Sequence, residues 1–289
     1  MVRRFFLLLL ACVLLPAFAC AGEPIRYWNG SKPEGRMAYE RALLDLLLAK
    51  TQLEYGDFAV SEVAAKMSTR RLEQALVQGD MINMVEFAAG RHYLTGSNKG
   101  VSEVKGSVIQ GLLGYRVSII RKQDESRFSS VRSLDQFRRL RPGQGRDWAD
   151  VAIYQLNGFS VVHRIQWESL LQHLELKQFD FLPLGVMETK PLLAARGADY
   201  PSLREESSLL IYYPFPRSFY VNSRRLPLVE RLNLGFSRAE KSGELRGLFD
   251  RYYGGVVADM KASKRRLFVL KNPSLGVDHP LTQPVLLQD

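Results

Sequence analysis

Short apolar runs alternate with helix-spaced apolar residues along nearly the whole chain beyond residue 22, and this alternation restricts the fold more than any single motif. Ile25 to Trp28 reads as a strand. Behind it Tyr39, Leu43, Leu46 and Leu47 recur at i, i+4, i+7 and i+8, the spacing of one buried helix face. Leu72, Ala75 and Leu76 mark a second helix with Gly79 as its C-terminal cap, and Met81 to Phe87 follows as a strand. Gly111 to Ile120 is a further strand region, carried by Val117, Ile119 and Ile120. Ser133 and Gln136 have the spacing of a capping box ahead of Phe137 and Leu140. Helical spacing returns at Trp148, Val151, Ala152 and Gln155, closed by Gly158, and again at Trp167, Leu170, Leu171 and Leu174. Phe179 to Leu182 and Ser218 to Val221 are strands, and helices surround Leu228, Leu232, Leu245, Leu248 and Phe249. Strands alternating with helices predict an α/β architecture of mostly parallel sheets flanked by helices.

One piece of the pattern occurs twice. Leu72 to Glu86 and Leu171 to Gly185 each run from a helix through a polar turn and an aspartate, Asp80 or Asp180, into a short apolar strand. The echo implies two similar lobes. Gly111–Gly114 and Tyr212–Pro216 suit crossovers between them; the second is stiffened by Pro214 and Pro216, which do not fit a sheet interior. The expected division puts 22–111 and 217–289 in the first lobe and 112–216 in the second.

Arg3 and Arg4 precede an apolar run from Phe5 to Phe18, and Ala17, Ala19 and Ala21 lead to the polar Glu23. A basic start, a short apolar stretch and an A-x-A site read as a secretory signal peptide over residues 1–21. The run is short against the ~20 residues that span a bilayer. Cleavage after Ala19 leaves Cys20 open to lipidation; cleavage after Ala21 removes Cys12 and Cys20, and with them all thiol chemistry. No later stretch is long enough to span a membrane, so the mature chain is expected to be soluble. Across 289 residues, 40 Lys+Arg stand against 30 Asp+Glu, a net charge of +10 that falls to +8 without Arg3 and Arg4. The basic clusters, such as Arg70-Arg71 and Arg224-Arg225, are scattered and lack interleaved aromatics. Export and this dispersion argue against a nucleic-acid partner.

The segment Gly143-Gln144-Gly145-Arg146-Asp147-Trp148-Ala149-Asp150 runs directly into a helix. Glycines allow a tight turn, and free N–H groups at a helix start form an anion site; Asp147 can equally serve as the N-cap. It is neither a phosphate-binding loop with a terminal Lys-Ser/Thr nor a dinucleotide fingerprint. Glu86 and Arg91 stand just past one predicted strand, and Gly185 and Glu188 stand past its counterpart in the second lobe. Ligands of open α/β sheets bind outside the carboxyl ends of the strands, so these groups can hold an ammonium and a carboxylate across a cleft, or remain solvated loop charges. Trp28, at the end of the first strand, can stack on a ligand or belong to the core. His92, His163, His173 and His279 lack metal-ligand spacing, and no G-x-S-x-G elbow occurs. No metal, no cofactor and no catalytic constellation are expected.

With these residues in hand, the chain resembles periplasmic extracellular solute-binding proteins of the polar amino-acid-binding type. The likeness rests on order: a signal peptide, a first strand and long helix, then Arg71-Leu72-Glu73-Gln74-Ala75-Leu76-Val77-Gln78-Gly79-Asp80 entering a strand. The glycine turn of the second lobe and the Val221-Asn222 strand before a Pro227-led helix continue it. The resemblance implies a two-lobed periplasmic-binding-protein fold of the second class, a monomer in the periplasm. It would capture a small polar solute, an amino acid or small carboxylate, for an ABC-type permease or a sensor receptor. The ligand-binding residues it implies are Trp28, Glu86, Arg91, Gly145, Arg146, Asp147, Trp148 and Glu188. Known members carry Thr-x-x-Arg before an aromatic-Ser pair, whereas this chain has Phe87-Ala88-Ala89-Gly90-Arg91, in which only Arg91 can hold a carboxylate. Gly-Gln-Gly-Arg-Asp-Trp-Ala-Asp and Phe-Asp-Phe-Leu-Pro-Leu-Gly-Val-Met-Glu are signatures of its own. Two other readings stay open: a sensing or scaffolding module of a signalling system, and a dehydratase-like enzyme with Glu188 or Glu86 as general acid.

Overall fold

A computed structural model of the chain describes residues 24–89, 100–146, 148–275 and 280–288. The expected signal peptide, Arg91, His92, Asp147 and His279 lie outside the described residues. The chain opens with β1 (Ile25–Trp28), α1 (Glu34–Ala49), α2 (Gln52–Tyr55), β2 (Val60–Val63), α3 (Thr69–Gln78), β3 (Met84–Ala88) and β4 (Val101–Glu103). It continues through β5 (Tyr115–Arg121), α4 (Glu125–Ser129), α5 (Leu134–Phe137), β6 (Gly143–Gly145), α6 (Asp150–Leu156), β7 (Val162–Ile165) and α7 (Leu170–Glu175). Then come β8 (Phe181–Gly185), α8 (Thr189–Arg196), β9 (Leu203–Glu205) and β10 (Leu209–Tyr212). The chain closes with β11 (Arg217–Asn222), α9 (Leu226–Lys241), α10 (Glu244–Ala262) and β12 (Arg266–Val269).

Local chemistry sets these boundaries. Ser68 caps α3 by accepting from the Arg71 amide, and Gly79 ends it at φ 77°, a left-handed conformation that costs glycine little. Ser133 and Gln136 form the capping box expected of α5. Pro227 sits in the first turn of α9, where its missing N–H costs nothing.

The first sheet runs β2-β1-β3-β11-β4. In the second, β8, β5, β10 and β12 are neighbours, and an isolated bridge from Pro142 to Phe181 joins the β6-β7 pair to β8. The order β7-β6-β8-β5-β10 repeats the order of the first sheet strand for strand. The helix–Asp–strand echo maps onto this symmetry, because α3–β3 and α7–β8 occupy matching places. Their aspartates differ: Asp80 is exposed, whereas Asp180 is buried and accepts from the Arg141 amide at 2.7 Å.

The sheets are mixed, which corrects the expectation of mostly parallel ones. β11 is antiparallel to β3 and β4, and β5 is antiparallel to β8, β9 and β10. The reason is topological. Each of these strands arrives from the other lobe, at the edge where its parallel neighbours end, and so must run against them. The crossovers lie between β4 and β5 and between β10 and β11, side by side, with the Tyr213 amide donating to the Gly114 carbonyl at 3.1 Å. A side chain at Gly114 would stand 2.6 Å from the Tyr213 carbonyl oxygen, so only glycine permits this approach.

Beyond α10 the chain does not remain with the first lobe. β12 pairs in parallel with β10 of the second sheet, Arg266 opposite Leu209 through Val269 opposite Tyr212, whereas the sequence reading assigned all of 217–289 to the first lobe. Its weak apolar pattern, with only Phe268 buried, gives no sign of that destination. α1, α9 and α10 pack together, and Tyr39, Leu43, Leu47, Leu232 and Phe249 are buried to 0 % exposure between them. No helix among the described residues is long and apolar enough to cross a membrane.

Candidate functional site

Where the two lobes meet, eight buried or nearly buried charges gather. α1 contributes Arg36 and Glu40, the loop before it Lys32, β3 Glu86 and β11 Arg217. The second lobe contributes Arg116 from β5, Asp150 from the start of α6 and Glu188 from the turn after β8.

Glu86 is the centre of the first-lobe half. The sequence reading took it as a group at a strand's carboxyl end; β3 extends to Ala88 because its pairing with β11 continues to Arg217, and Glu86 lies inside it opposite Phe219. Its side chain is 1 % exposed. Arg217 grips both carboxylate oxygens, with Nη2 at 2.7 Å from Oε2, and Arg36 Nη2 donates to Oε2 at 2.9 Å. Burial pushes the carboxyl up, yet Arg217 and Arg36 outweigh it and hold Glu86 well below the usual carboxylate range.

Glu40 forms a second node. Tyr27 donates to it at 2.6 Å, Arg36 Nε at 2.9 Å, and Lys32 makes a close ion pair. Burial and the Glu40 carboxylate push the Tyr27 hydroxyl up, so it remains a donor; burial pulls Lys32 down against the pull of Glu40 and Glu86. The Lys32 ammonium lies 5.4 Å from the Tyr27 ring and 5.6 Å from the Trp28 ring. Trp28 is itself tied to the first lobe, its indole N–H donating to Ala65 at 2.9 Å.

Arg36 then reaches across the interface. Its Nη1 lies 3.6 Å from Glu188 Oε1, while Glu188 Oε2 accepts from the Gly185 amide at 2.8 Å. Beside this pair, Arg116 stands in register with Gly185 and contacts Asp150 at 3.0 Å. Tyr213, in the second crossover, donates to Asp150. Arg116 lies 5.0 Å and Arg217 5.7 Å from the Phe215 ring, so one crossover aromatic carries a guanidinium from each lobe. Among the described residues, four cations (Lys32, Arg36, Arg116, Arg217) balance four anions (Glu40, Glu86, Asp150, Glu188).

The expected residues divide. Glu86 and Glu188 share Arg36, and Trp28 lies under Lys32 beside them. Gly145, Arg146 and Trp148 build a different feature. The Arg146 amide donates to Ile165 at 2.8 Å and the Trp148 amide to Gly145 at 3.3 Å, so neither is free to cradle an anion. α6 begins only at Asp150. A side chain at Gly145 would stand 2.4 Å from the Trp148 indole, which explains that glycine by packing, and Trp148 packs at a tilt against Trp167, ring centroids 5.8 Å apart. The sequence reading missed Lys32, Arg36, Glu40, Arg116 and Arg217, and took Asp150 only as a first-turn charge. One signal was available: Glu86 and Arg116 are charges inside otherwise apolar strand runs, and such charges are buried in pairs or not at all.

Sequence comparison with protein-family models and with curated proteins gives no match. Comparison of folds does. An arginine-binding protein from T. maritima superposes with a TM-score of 0.53 at 13 % identity, over 80 % of this chain and 95 % of that one. A periplasmic His/Glu/Gln/Arg/opine family-binding protein from Silicibacter pomeroyi, in complex with lysine, gives 0.55 at 10 %, over 80 % and 97 %. A histidine kinase sensor domain similar to periplasmic binding proteins gives 0.55 at 11 %, over 80 % and 96 %. The chain has the two-lobed fold of the second class of periplasmic binding proteins.

Proposed function

We propose that this chain is a solute-binding protein that closes its two lobes on a small zwitterion, of the amino-acid class, and presents the closed form to a permease or sensor receptor. The observation that carries this reading is the Arg36–Glu188 contact at 3.6 Å. It is the longest link in the charge network's path between the lobes, beyond hydrogen-bond distance. Each partner is held independently on its own lobe, Arg36 by Glu40 and Glu86 and Glu188 by the Gly185 amide. A ligand that separates them finds a guanidinium on one wall and a carboxylate on the other.

Charge decides the ligand class. Among the described residues four cations already balance four anions, so a zwitterion adds no net charge to them. A lone anion or cation would leave one uncompensated buried charge, at a cost of several kcal/mol. The ligand carboxylate takes Arg36, with Arg116 beside it, and the ligand ammonium takes Glu188. A ligand touching both walls stabilises only the closed arrangement, and that difference is what a membrane partner can read. The fold's occurrence in amino-acid-binding proteins and in a kinase sensor domain supports both kinds of partner. The basic, apolar and A-x-A character of residues 1–21 supports export to the periplasm.

Isothermal titration calorimetry against amino acids, simple carboxylates and amines tests this directly. Binding confined to molecules with both an ammonium and a carboxylate is expected. Millimolar silence from every zwitterion, or equal binding of simple carboxylates, overturns it.

A further inference from the structure

We propose that Tyr253 of α10 is a further ligand-contacting residue, its hydroxyl donating to the ligand carboxylate that Arg36 receives. The inference deepens the proposed function and rests on it. α10 runs from one lobe to the other. Toward its middle, Phe249 and Tyr253 pack on Tyr39 of α1, with ring centroids 6.4 Å and 5.0 Å from that ring. Near its end, Met260 is buried with Tyr115, Val117, Leu210 and Tyr212 of the second sheet. Tyr253 therefore stands where the lobes meet. Arg36, Tyr39 and Glu40 share one face of α1, at i, i+3 and i+4, so a phenol packed on Tyr39 lies on the side of those two charges.

The Tyr253 hydroxyl is buried and has no hydrogen-bond partner among the described residues. The adjoining phenols differ. Tyr27 donates to Glu40 at 2.6 Å, and Tyr39 donates to the Val108 carbonyl at 2.9 Å. A buried hydroxyl left unpaired is a standing cost, and each such group in a folded chain calls for a reason. The charges around it identify the missing partner. Burial pushes the Tyr253 hydroxyl up, Arg36 pulls it down, and Glu40 and Glu188 push it up again. The phenol stays protonated and can donate. Glu40 and Glu188 both face Arg36, and neither takes this proton. A ligand carboxylate on Arg36 supplies the acceptor, whereas a ligand ammonium would leave the phenol proton still unpaired. Tyr253 thus selects the carboxylate end of the zwitterion and places it on the α10 side of Arg36.

Isothermal titration calorimetry and urea unfolding of wild type, Tyr253→Phe and Tyr39→Phe, with the common amino acids as probes, test this role. Tyr253→Phe is expected to weaken the tightest-bound amino acid at least about 10-fold, the factor for one hydrogen bond to a charged group. Its urea midpoint without solute should stay unchanged or rise, because no partner is lost. Tyr39→Phe strips a paired hydroxyl from the adjoining ring and should lower the midpoint. Loss of affinity without loss of stability is what a packing role cannot produce. A Tyr253→Phe midpoint that falls as far as that of Tyr39→Phe overturns the assignment, and is the result a buried water on the hydroxyl would give. Wild-type binding with unchanged affinity in Tyr253→Phe overturns this role alone. A wild-type chain silent to every amino acid overturns the proposed function and this role with it.

Discussion

Arg36 and Glu188 face each other across the interface between the lobes at 3.6 Å, and both stay bonded to their own lobe if that contact is broken. The pair is therefore separable without leaving either charge bare. This distinguishes it from Glu86 with Arg217, in which one carboxylate receives two donors from a single guanidinium inside a sheet. The first pair can yield to a ligand, and the second holds the wall to which the ligand would bind.

Glu188→Gln accordingly removes the charge that meets a ligand ammonium while preserving an oxygen for the Gly185 amide. Affinity for zwitterions is expected to fall at least about 30-fold, the lower end of what truncating a buried charge partner costs. The melting temperature should stay within a few degrees, because Arg36 keeps Glu40 and Glu86. Calorimetry and thermal unfolding on the same sample separate the two effects; a large loss of stability with intact affinity would contradict the assignment.

Glu86→Gln behaves in the opposite way. It leaves Arg36 and Arg217 facing a neutral amide in a site where the carboxylate is 1 % exposed. Breaking a buried pair on one side costs about 3–5 kcal/mol. Urea unfolding should register most of that loss, and Glu86→Gln combined with Arg217→Met should recover part of it. A double variant no better than the single one would show that the strand, not the charge, carries the cost.

The same residue sets an acid limit. Arg217 and Arg36 depress the Glu86 carboxyl in the folded chain, while in the unfolded chain it titrates near ~4.3. Its contribution is therefore fully present well above pH ~4.3 and is lost progressively as pH falls below it toward the folded value. The urea midpoint should drop between about pH 5 and pH 2.5. In Glu86→Gln this part of the slope should vanish, and a parallel slope in wild type and variant would assign the acid sensitivity to other carboxylates.

How much of this was legible in the sequence depended on whether a residue's partner was near it in the chain. Gly79 and the Ser133–Gln136 box act within one turn, and the spacing alone located them. The two-lobed plan was legible for the same reason, since α3–β3 and α7–β8 each repeat a local pattern. Arg36 with Glu86 and Arg217 with Glu86 join positions 50 and 131 residues apart, and no periodicity encodes such pairings. Gly145 misled for a different reason. A glycine before a helix reads the same whether its missing side chain admits an anion or, as here, a tryptophan from its own chain.

The crossovers offer the sharpest test of how the halves are coupled. At Gly114 a methyl group would meet the Tyr213 carbonyl at 2.6 Å and the Tyr212 ring at 3.0 Å. The nearer obstacle is backbone of the second crossover, which cannot swing aside as a side-chain end can. Gly114→Ala must push the crossovers apart, at a cost of about 1–3 kcal/mol for overpacking a filled site. The displacement passes to Tyr213, whose hydroxyl donates to Asp150 beside Arg116, and to Phe215 between Arg116 and Arg217. Gly114→Ala should therefore weaken zwitterion binding as well as stability, although it touches none of the cleft charges. Gly247→Ala, in an open stretch of α10 with nothing near its added methyl, is the matched control and should be neutral or slightly stabilising. Equal binding by the two variants at matched temperatures below unfolding would show that the crossovers merely connect the lobes.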